Sequence, residues 1–248
     1  MTGSFRIGAG TGLPGEVREG EHGGMEKRAL VVIDVQESFR ARPLWRLIDN
    51  PDIADDVNRL VDHARAAGDL VVWVLHLEPG TGNTFDPASG HVRYLEGLRE
   101  PVEGEVELRK TSHNAFTTTN LQQVLTERGV REVVVCGIRT EQCCETTTRL
   151  ASDLGYRVTF VVDATATNPI AHPDAAGDLT PEELVADPRT LSAEAVVERT
   201  VFALAGRFAT IARVDEVVGA GVGAVGAGMG AGGAGADAVG AGAVGAAG

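Results

Sequence analysis

One cysteine lies where a nucleophile could be activated. Cys143 follows the apolar run VVVCG, which ends at Gly137, and Thr140 before it is a residue type that caps helices. We therefore expect the thiol in the first turn of a helix. The free N–H groups and the positive dipole end there favour a thiolate and can bind an oxyanion. The alternative is that Cys143 is a small buried apolar side chain.

A carboxylate and an ammonium group are the next candidates. Asp34 lies near the C-terminal end of the apolar run ALVVIDV, where a buried carboxylate must be paired or hydrogen-bonded. The alternative is a structural aspartate that caps a neighbouring loop. Lys110 lies between the second and third predicted strands, where a lone lysine is usually a solvated charge.

The two other cysteines are expected to pack in the core. Cys136 lies in the middle of a predicted strand, and Cys144 points about 100° away from Cys143 around the helix. A disulfide between Cys143 and Cys144 is a further alternative.

The elements that would position these residues alternate regularly along the chain. Predicted strands cover residues 29–35, 70–75, 133–137, 157–162 and 209–214, and predicted helices cover 53–68, 119–129, 140–154 and 192–206. Strands without a polar face that alternate with helices indicate a parallel sheet covered on both sides. The prediction is an α/β, three-layer Rossmann-like domain with a central, mostly parallel sheet of about six strands. Functional sites in such sheets lie at the carboxyl ends of the strands.

Glycine-rich segments flank this domain. We predict a flexible segment over residues 1–25, a folded domain over 26–218 and a disordered Gly/Ala-rich tail over 219–248, which holds 13 of the 32 glycines. The match to GxGxxG between Gly10 and Gly15 follows no strand and is interpreted as chance.

Composition excludes several classes of protein. The formal net charge is −13, which argues against binding to nucleic acid or to anionic membranes. No apolar run reaches the roughly 18–20 residues that a membrane span needs, and the N-terminus lacks a signal-peptide pattern. The three cysteines lie within nine residues, which is no disulfide framework. We expect a cytoplasmic protein that acts on a small molecule.

Four segments resemble the isochorismatase-like cysteine hydrolases, the superfamily of nicotinamidases, N-carbamoylsarcosine amidases and isochorismatases. Residues 33–39 are similar to the motif D-x-Q-x-x-F, and residues 110–121, from Lys110 through Asn114-Ala115-Phe116 to Leu121, are similar to K-x(3)-S-x-F-x-x-T-x-L. Residues 137–151 are similar to G-x-x-T-x-x-C-x-x-x-T-x-x-x-A, and residues 155–164 to the strand and loop that follow. The resemblance extends from about residue 28 to 214.

The resemblance implies a catalytic triad of Asp34, Lys110 and Cys143. Asp34 would take the thiol proton, and Lys110 would stabilise the charges that form. It also implies a cis peptide between Ile138 and Arg139, an oxyanion hole made by the N–H groups of Arg139 and Cys143, and a homo-oligomer, a dimer or larger. A cation beside a thiol lowers its pKa, so we expect an activated thiolate in the free enzyme.

The cysteine favours one reaction over its alternatives. Isochorismatases cleave a vinyl ether and need no cysteine nucleophile, so Cys143 favours hydrolysis of an amide, carbamoyl or cyclic imide C–N bond through a thioester. The alternatives are a vinyl-ether hydrolase and a non-catalytic small-molecule-binding protein on the same fold.

No metal or other cofactor is predicted. Nicotinamidases carry a metal site, typically Asp-x-His and a further His after the second strand. Here the corresponding residues are His76 and Glu78, with Thr84 near the last position, and two ligands without a third are weak evidence for a metal. The sequence therefore predicts no nicotinamidase activity.

Substrate contacts are harder to assign. Six residues in or beside the motifs are candidates: Gln36, Phe39, Arg40, Arg42, Phe116 and Arg139. We hypothesise that one or more of the arginines binds a carboxylate or another anion, since a guanidinium suits that role. Ion pairs with Glu141 or other acids are the alternative. Solvated or structural roles are expected for His91, His113 and His172, and the long loops over 78–105 and 168–189 are expected to set substrate choice.

Overall fold

A central parallel sheet organises the protein. The computed structural model describes residues 27–175, 177 and 179–219. All six strands are parallel, in the order β3-β2-β1-β4-β5-β6. They are β1 Lys27–Ile33, β2 Leu70–His76, β3 Val106–Lys110, β4 Val130–Ile138, β5 Arg157–Ala166 and β6 Thr210–Ala212.

Helices cover both faces of this sheet. They are α1 Glu37–Arg40, α2 Ile53–Ala67, α3 Leu121–Glu127, α4 Glu145–Asp153, α5 Pro181–Ala186, α6 Ala193–Leu204 and α7 Val214–Gly219. Short 3₁₀ turns cover Pro43–Leu47 and Pro87–Ser89. In the part of the chain that the structure describes, no helix combines the length and apolar character needed to cross a bilayer.

Two apolar clusters lie on opposite faces of the sheet. Side chains alternate along a strand, so Leu30 and Val32 of β1 pack with α2 and α7, whereas Val31 and Ile33 pack on the other face with α3 and α4. The predicted three-layer α/β architecture is confirmed.

Several elements differ from the prediction. Strand β3 was not predicted because only Leu108 and Lys110 of it are buried, so it lacks an apolar run. The predicted strand over 209–214 is shorter, since α7 begins at Val214. Apart from Gly219, which ends α7, the predicted terminal segments 1–25 and 219–248 lie outside the described residues.

The predicted helix over residues 140–154 begins differently. A π-helical turn, Thr140–Cys144, precedes α4, and the Cys144 N–H donates to the Arg139 carbonyl oxygen five residues back, at 3.1 Å. Thr140 does not cap the helix as expected, because its hydroxyl donates to the Thr165 hydroxyl at 2.9 Å. Cys143 therefore lies in a widened turn rather than in the first turn of an α-helix.

The carboxyl ends of all six parallel strands lie at one edge of the sheet. The strand order reverses at β1, because β2 and β3 lie on one side of it and β4 pairs with it on the other. Ligand sites in open sheets lie at such switch points. Close approach of β1 and β4 requires Gly137, which has φ +130° and lies opposite Ile33. A Cβ at Gly137 would lie 1.9 Å from the Ile33 carbonyl oxygen.

Candidate active site

Asp34 follows the end of β1 in a left-handed conformation, with φ +53°. Aspartate is among the few non-glycine residues that adopt this region readily. The Asp34 N–H donates to the Val74 carbonyl oxygen at 2.8 Å, which ties the turn to β2. Its side chain is fully buried. Burial raises the pKa of the carboxyl group, although the positive charge of Lys110 opposes that shift.

Lys110, the last residue of β3, is the centre of the buried polar group. Its Nζ lies 2.6 Å from Asp34 Oδ2, 3.4 Å from Cys143 Sγ and 3.4 Å from His76 Nδ1. An ammonium has three N–H donors, so each has one partner here. Burial alone lowers the pKa of Lys110, but the negative charge of Asp34 and the hydrogen bonds to Asp34 and Cys143 outweigh burial and raise it. The side chain is therefore a cation.

Cys143 carries a protonated thiol in this arrangement. The side chain is buried, and burial raises the pKa of the thiol to about 12, with the Asp34 charge adding to the shift and Lys110 opposing it. The expected thiolate of the free enzyme is therefore wrong. The motifs place both Lys110 and Asp34 beside the thiol, but they carry no information on how deeply the thiol is buried. Of the other cysteines, Cys136 and Cys144 are free and fully buried, as predicted.

Two histidines complete the surroundings of the thiol. His76 Nε2 lies 3.2 Å from Glu78 Oε1, and its Nδ1 faces the Lys110 ammonium, so the neutral ring carries its proton on Nε2. Burial, followed by the Lys110 charge, lowers the pKa of His76. The His113 ring stacks on His76 with centroids 6.2 Å apart, and its Nδ1 lies 3.8 Å from Cys143 Sγ. The position of His76 at a strand end was the available sequence signal.

A metal does not fit this set of side chains. Both ring nitrogens of His76 are engaged, and the Lys110 ammonium lies 3.4 Å from one of them. Among the described residues, no group of three or more His, Cys, Asp or Glu side chains is placed to hold a metal ion.

Gln36, a predicted substrate contact, is bonded to the backbone of His76, and its contact with substrate stays a prediction. Its Oε1 accepts from the His76 N–H at 2.8 Å, and its Nε2 donates to the His76 carbonyl oxygen at 3.1 Å and to Ser38 Oγ at 2.8 Å. Because its amide is used in these bonds and the residue is fully buried, Gln36 fixes the end of β2.

The two phenylalanines that were predicted to contact substrate, Phe39 and Phe116, lie in different parts of the structure. Phe39 packs edge-on against Phe85 at 4.9 Å between centroids, and Phe85 packs against His76 at 5.5 Å, so Phe39 belongs to an aromatic wall that leads to His76. Phe116 stacks on Tyr156 at 6.2 Å and belongs to the apolar cluster that contains Cys143.

The three candidate arginines are not equivalent. Arg40 forms ion pairs with Glu37 at 2.7 Å and Glu96 at 2.8 Å, and its role as a substrate contact stays a prediction. Arg42 is exposed. Arg139 is half-buried, with Cζ 5.8 Å from the centroid of the Phe39 ring.

The peptide between Ile138 and Arg139 is cis, as the resemblance implies. The Arg139 carbonyl oxygen accepts from the N–H groups of Gln142 at 3.2 Å and Cys144 at 3.1 Å, so this residue holds the turn that carries Cys143. Among the described residues, no hydrogen bond uses the backbone N–H of Arg139.

Comparison with known proteins identifies the family. A model described as the Isochorismatase domain matches residues 28–200. A streptothricin hydrolase from Streptomyces noursei is 36% identical over 160 residues, which are 62% of this chain and 60% of that protein. Nicotinamidase 3 from Arabidopsis thaliana is 33% identical over 153 residues, 56% of this chain and 73% of that protein.

A solved structure of an isochorismatase from Pseudomonas putida KT2440 has the same fold. The TM-score is 0.65 at 32% sequence identity, and the match covers 76% of this chain and 89% of that one. The family model, the relatives and the fold agree, and the chain is a hydrolase that belongs to the isochorismatase family.

Proposed function

We propose that this protein is a cysteine hydrolase that cleaves an amide, carbamoyl or cyclic imide C–N bond of a small molecule. The observation that carries the proposal is the contact of one buried ammonium, Lys110 Nζ, with both Asp34 Oδ2 and Cys143 Sγ. A site that only bound a ligand would have no need for a thiol beside a buried base. The relatives named as a nicotinamidase and a streptothricin hydrolase support hydrolysis.

Acylation begins with the neutral thiol. As Cys143 Sγ attacks the substrate carbonyl carbon, its proton passes to Asp34, whose raised pKa suits a base that must later act as an acid. Lys110 stays positive and stabilises the sulfur as charge develops. The N–H groups of Arg139 and Cys143 bind the oxyanion. Asp34 then protonates the leaving nitrogen, and the C–N bond breaks to give a thioester.

Deacylation reuses the same groups. Water attacks the thioester carbonyl carbon while Asp34 takes a proton from it. The C–S bond breaks, the acid product leaves, and the proton on Asp34 returns to the Cys143 sulfur. The starting state, with a neutral thiol, a carboxylate and an ammonium, is thereby restored.

A screen of small amides, carbamoyl compounds and cyclic imides tests the proposal. Amides and carbamoyl compounds are assayed by the release of ammonia or amine. Cyclic imides are assayed by ring opening. We expect turnover by the wild type and its loss in Cys143→Ala and Asp34→Asn. Acid quenching of the wild type should trap a substrate-derived acyl group on Cys143, detectable by mass spectrometry. Cys144→Ala is the matched control, since Cys144 is the adjacent buried cysteine without a contact to Lys110.

Two outcomes would replace the proposal. Cleavage of isochorismate at the wild-type rate by Cys143→Ala would assign a vinyl-ether hydrolase. Ligand binding without an acyl-enzyme or turnover would assign a binding protein.

A further inference from the structure

Arg139 is a half-buried cation without an acidic partner. Among the described residues, no carboxylate forms a salt bridge with its guanidinium and no hydrogen bond of its side chain is present. Burial lowers the pKa of Arg139, so its charge is held in an unfavourable environment. A buried charge without a partner is costly unless another group supplies the opposite charge.

Other partly buried arginines of this acidic chain do have partners. Arg28 pairs with Asp69 at 2.7 Å, and Arg65 pairs with Glu105 at 2.7 Å. With 35 acidic and 22 basic side chains, carboxylates are plentiful. The state of Arg139 is therefore not explained by a shortage of acids.

The neighbouring acid, Glu141, forms no salt bridge with Arg139 and uses only one of its carboxylate oxygens in a hydrogen bond. Its Oε2 accepts from the Thr167 hydroxyl at 2.6 Å, and its buried Oε1 has no hydrogen-bond partner in the described part of the chain. Glu141 contributes a favourable charge to Arg139 but no salt bridge. The N–H donors of the guanidinium remain available to a ligand.

The position of Arg139 connects this charge to the thiol. Its carbonyl oxygen holds the turn that carries Cys143, and its guanidinium lies over Phe39, in the aromatic wall that continues through Phe85 to His76. Arg139 also interacts electrostatically with Cys143 and with the exposed cation Arg42. Two arginines therefore lie in the surroundings of the thiol, together with the acids Glu141 and Glu78, in a protein whose net charge is −13.

We propose that Arg139, assisted by Arg42, binds a carboxylate of the substrate, so that the substrate is a small anionic molecule whose scissile C–N bond lies beside Cys143. This inference rests on the proposed function for the identity of the bond that is cleaved. A guanidinium presents paired N–H donors that match the two oxygens of a carboxylate, and the Phe39 ring keeps its plane in place.

Alkylation of Cys143 tests charge recognition without a known substrate. Iodoacetate and iodoacetamide react with thiols in the same way and have nearly the same size, but only iodoacetate carries a carboxylate. The rates at Cys143, resolved from Cys144 by tandem mass spectrometry, are measured for wild type, Arg139→Gln and Arg139→Lys. Arg99→Ala is the control, since it removes an arginine that pairs with Asp62 on the surface.

We expect the ratio of the iodoacetate rate to the iodoacetamide rate to fall about tenfold or more in Arg139→Gln, by less in Arg139→Lys, and to be unchanged in Arg99→Ala. An altered thiol pKa changes both rates together and cancels in the ratio. An unchanged ratio in Arg139→Gln would overturn the inference, whether both rates stay the same or fall by the same factor.

The test separates this inference from the proposed function. A ratio that depends on Arg139 in a protein that hydrolyses no C–N bond would keep the anion site and reject the reaction. Hydrolysis of amides with a ratio that is independent of Arg139 would keep the reaction and reject the anion site. With an active substrate in hand, Arg139→Gln should raise KM for the acid and leave KM for its neutral analogue unchanged.

Discussion

Asp34 and Lys110 form an ion pair that has no exposed surface, with 2.6 Å between Oδ2 and Nζ and 0% exposure of both side chains. The other carboxylate oxygen, Oδ1, has no hydrogen-bond partner among the described residues, which leaves it free to accept a proton. In a buried ion pair, each charge compensates the other for its lost hydration. Removal of one charge therefore affects both catalysis and folding.

Lys110→Met should therefore lose activity and stability together. We expect kcat to fall by about 10²–10⁴-fold, the usual contribution of a proton-transfer site. Loss of the counter-ion should lower the free energy of unfolding by about 3–5 kcal/mol at pH 8. Burial raises the pKa of Asp34, so the folded variant binds a proton more readily than the unfolded chain does.

The pH dependence of this variant has a definite sign. The contribution of Asp34 to its stability should be fully present below the ordinary Asp pKa of 3.8 and should be lost as the pH rises through the raised pKa of the folded state. Urea unfolding of wild type and Lys110→Met at pH 5 and pH 8 measures this, with a smaller difference expected for the wild type. Equal destabilisation at both values would contradict an uncompensated carboxylate.

The Cys143 thiol should be weakly reactive in the free enzyme. With its pKa raised to about 12, the rate of labelling by iodoacetamide should still increase between pH 7 and pH 10 without a plateau. Lys110→Met should be slower at each pH, since the lysine opposes the shift. Cys144, which burial also keeps protonated, is the internal control and should remain unlabelled. Fast labelling of Cys143 near pH 6 would show that a thiolate is present before substrate binds.

His76 should matter through the ring nitrogen that faces Lys110. Removal of this acceptor in His76→Leu is expected to lower kcat by roughly 10–100-fold, the value of a hydrogen bond to a charged group, with little change in KM. His76→Asn keeps an acceptor near the position of Nδ1 and should retain more activity. Equal loss in the two variants would argue that only packing is affected.

A pH profile gives a second measure of the role of His76. Because burial lowers its pKa, the ring should stay neutral at pH 7 and gain a proton only below its ordinary value of 6.5. The protonated ring cannot accept from Lys110, so activity should fall with acid in the wild type. That part of the fall should be absent in His76→Asn, where Asp34 is still present.

Gly137→Ala should unfold the site. The new Cβ would meet the Ile33 carbonyl oxygen, so β1 and β4 would have to separate beside Asp34. Gly155→Ala is the matched control, because Gly155 also has positive φ, +89°, but no atom within 4 Å of the added Cβ. We expect Gly137→Ala to lose about 2 kcal/mol or more beyond the control in urea unfolding. Similar losses of unfolding free energy in the two variants would mean that β1 and β4 can separate without an energetic cost.

Local patterns predicted the elements that carry an apolar face. Helix α2 has helical spacing and ends at Gly68, which adopts φ +75°, so its bounds follow from the sequence. Strand β3 has no such signal, because its place at the sheet edge leaves alternate side chains in solvent. The π-helical turn is accompanied by the hydroxyl bond between Thr140 and Thr165, a contact between distant residues that no local pattern contains.

The residues of the candidate site were predictable where they belong to the sequence motifs of the family. The order and spacing of Asp34, Lys110 and Cys143 identified them, and the structure brings all three together. The contact of His76 with Lys110 depends on the register of β2 with β3, where these two residues are partners, and register is a long-range property. The thiol pKa was predicted in the wrong direction because it depends on burial.

Lys110 ends the outermost strand, a segment of five residues that has a neighbouring strand on only one side in the described part of the chain. Short edge strands open more readily than central ones, and such opening requires no unfolding of the rest of a domain. Each opening of β3 would withdraw the ammonium from the carboxylate and the thiol. The fraction of molecules with an intact edge therefore sets an upper limit on the active fraction, and activity should disappear at lower urea concentrations than the circular dichroism of the helices.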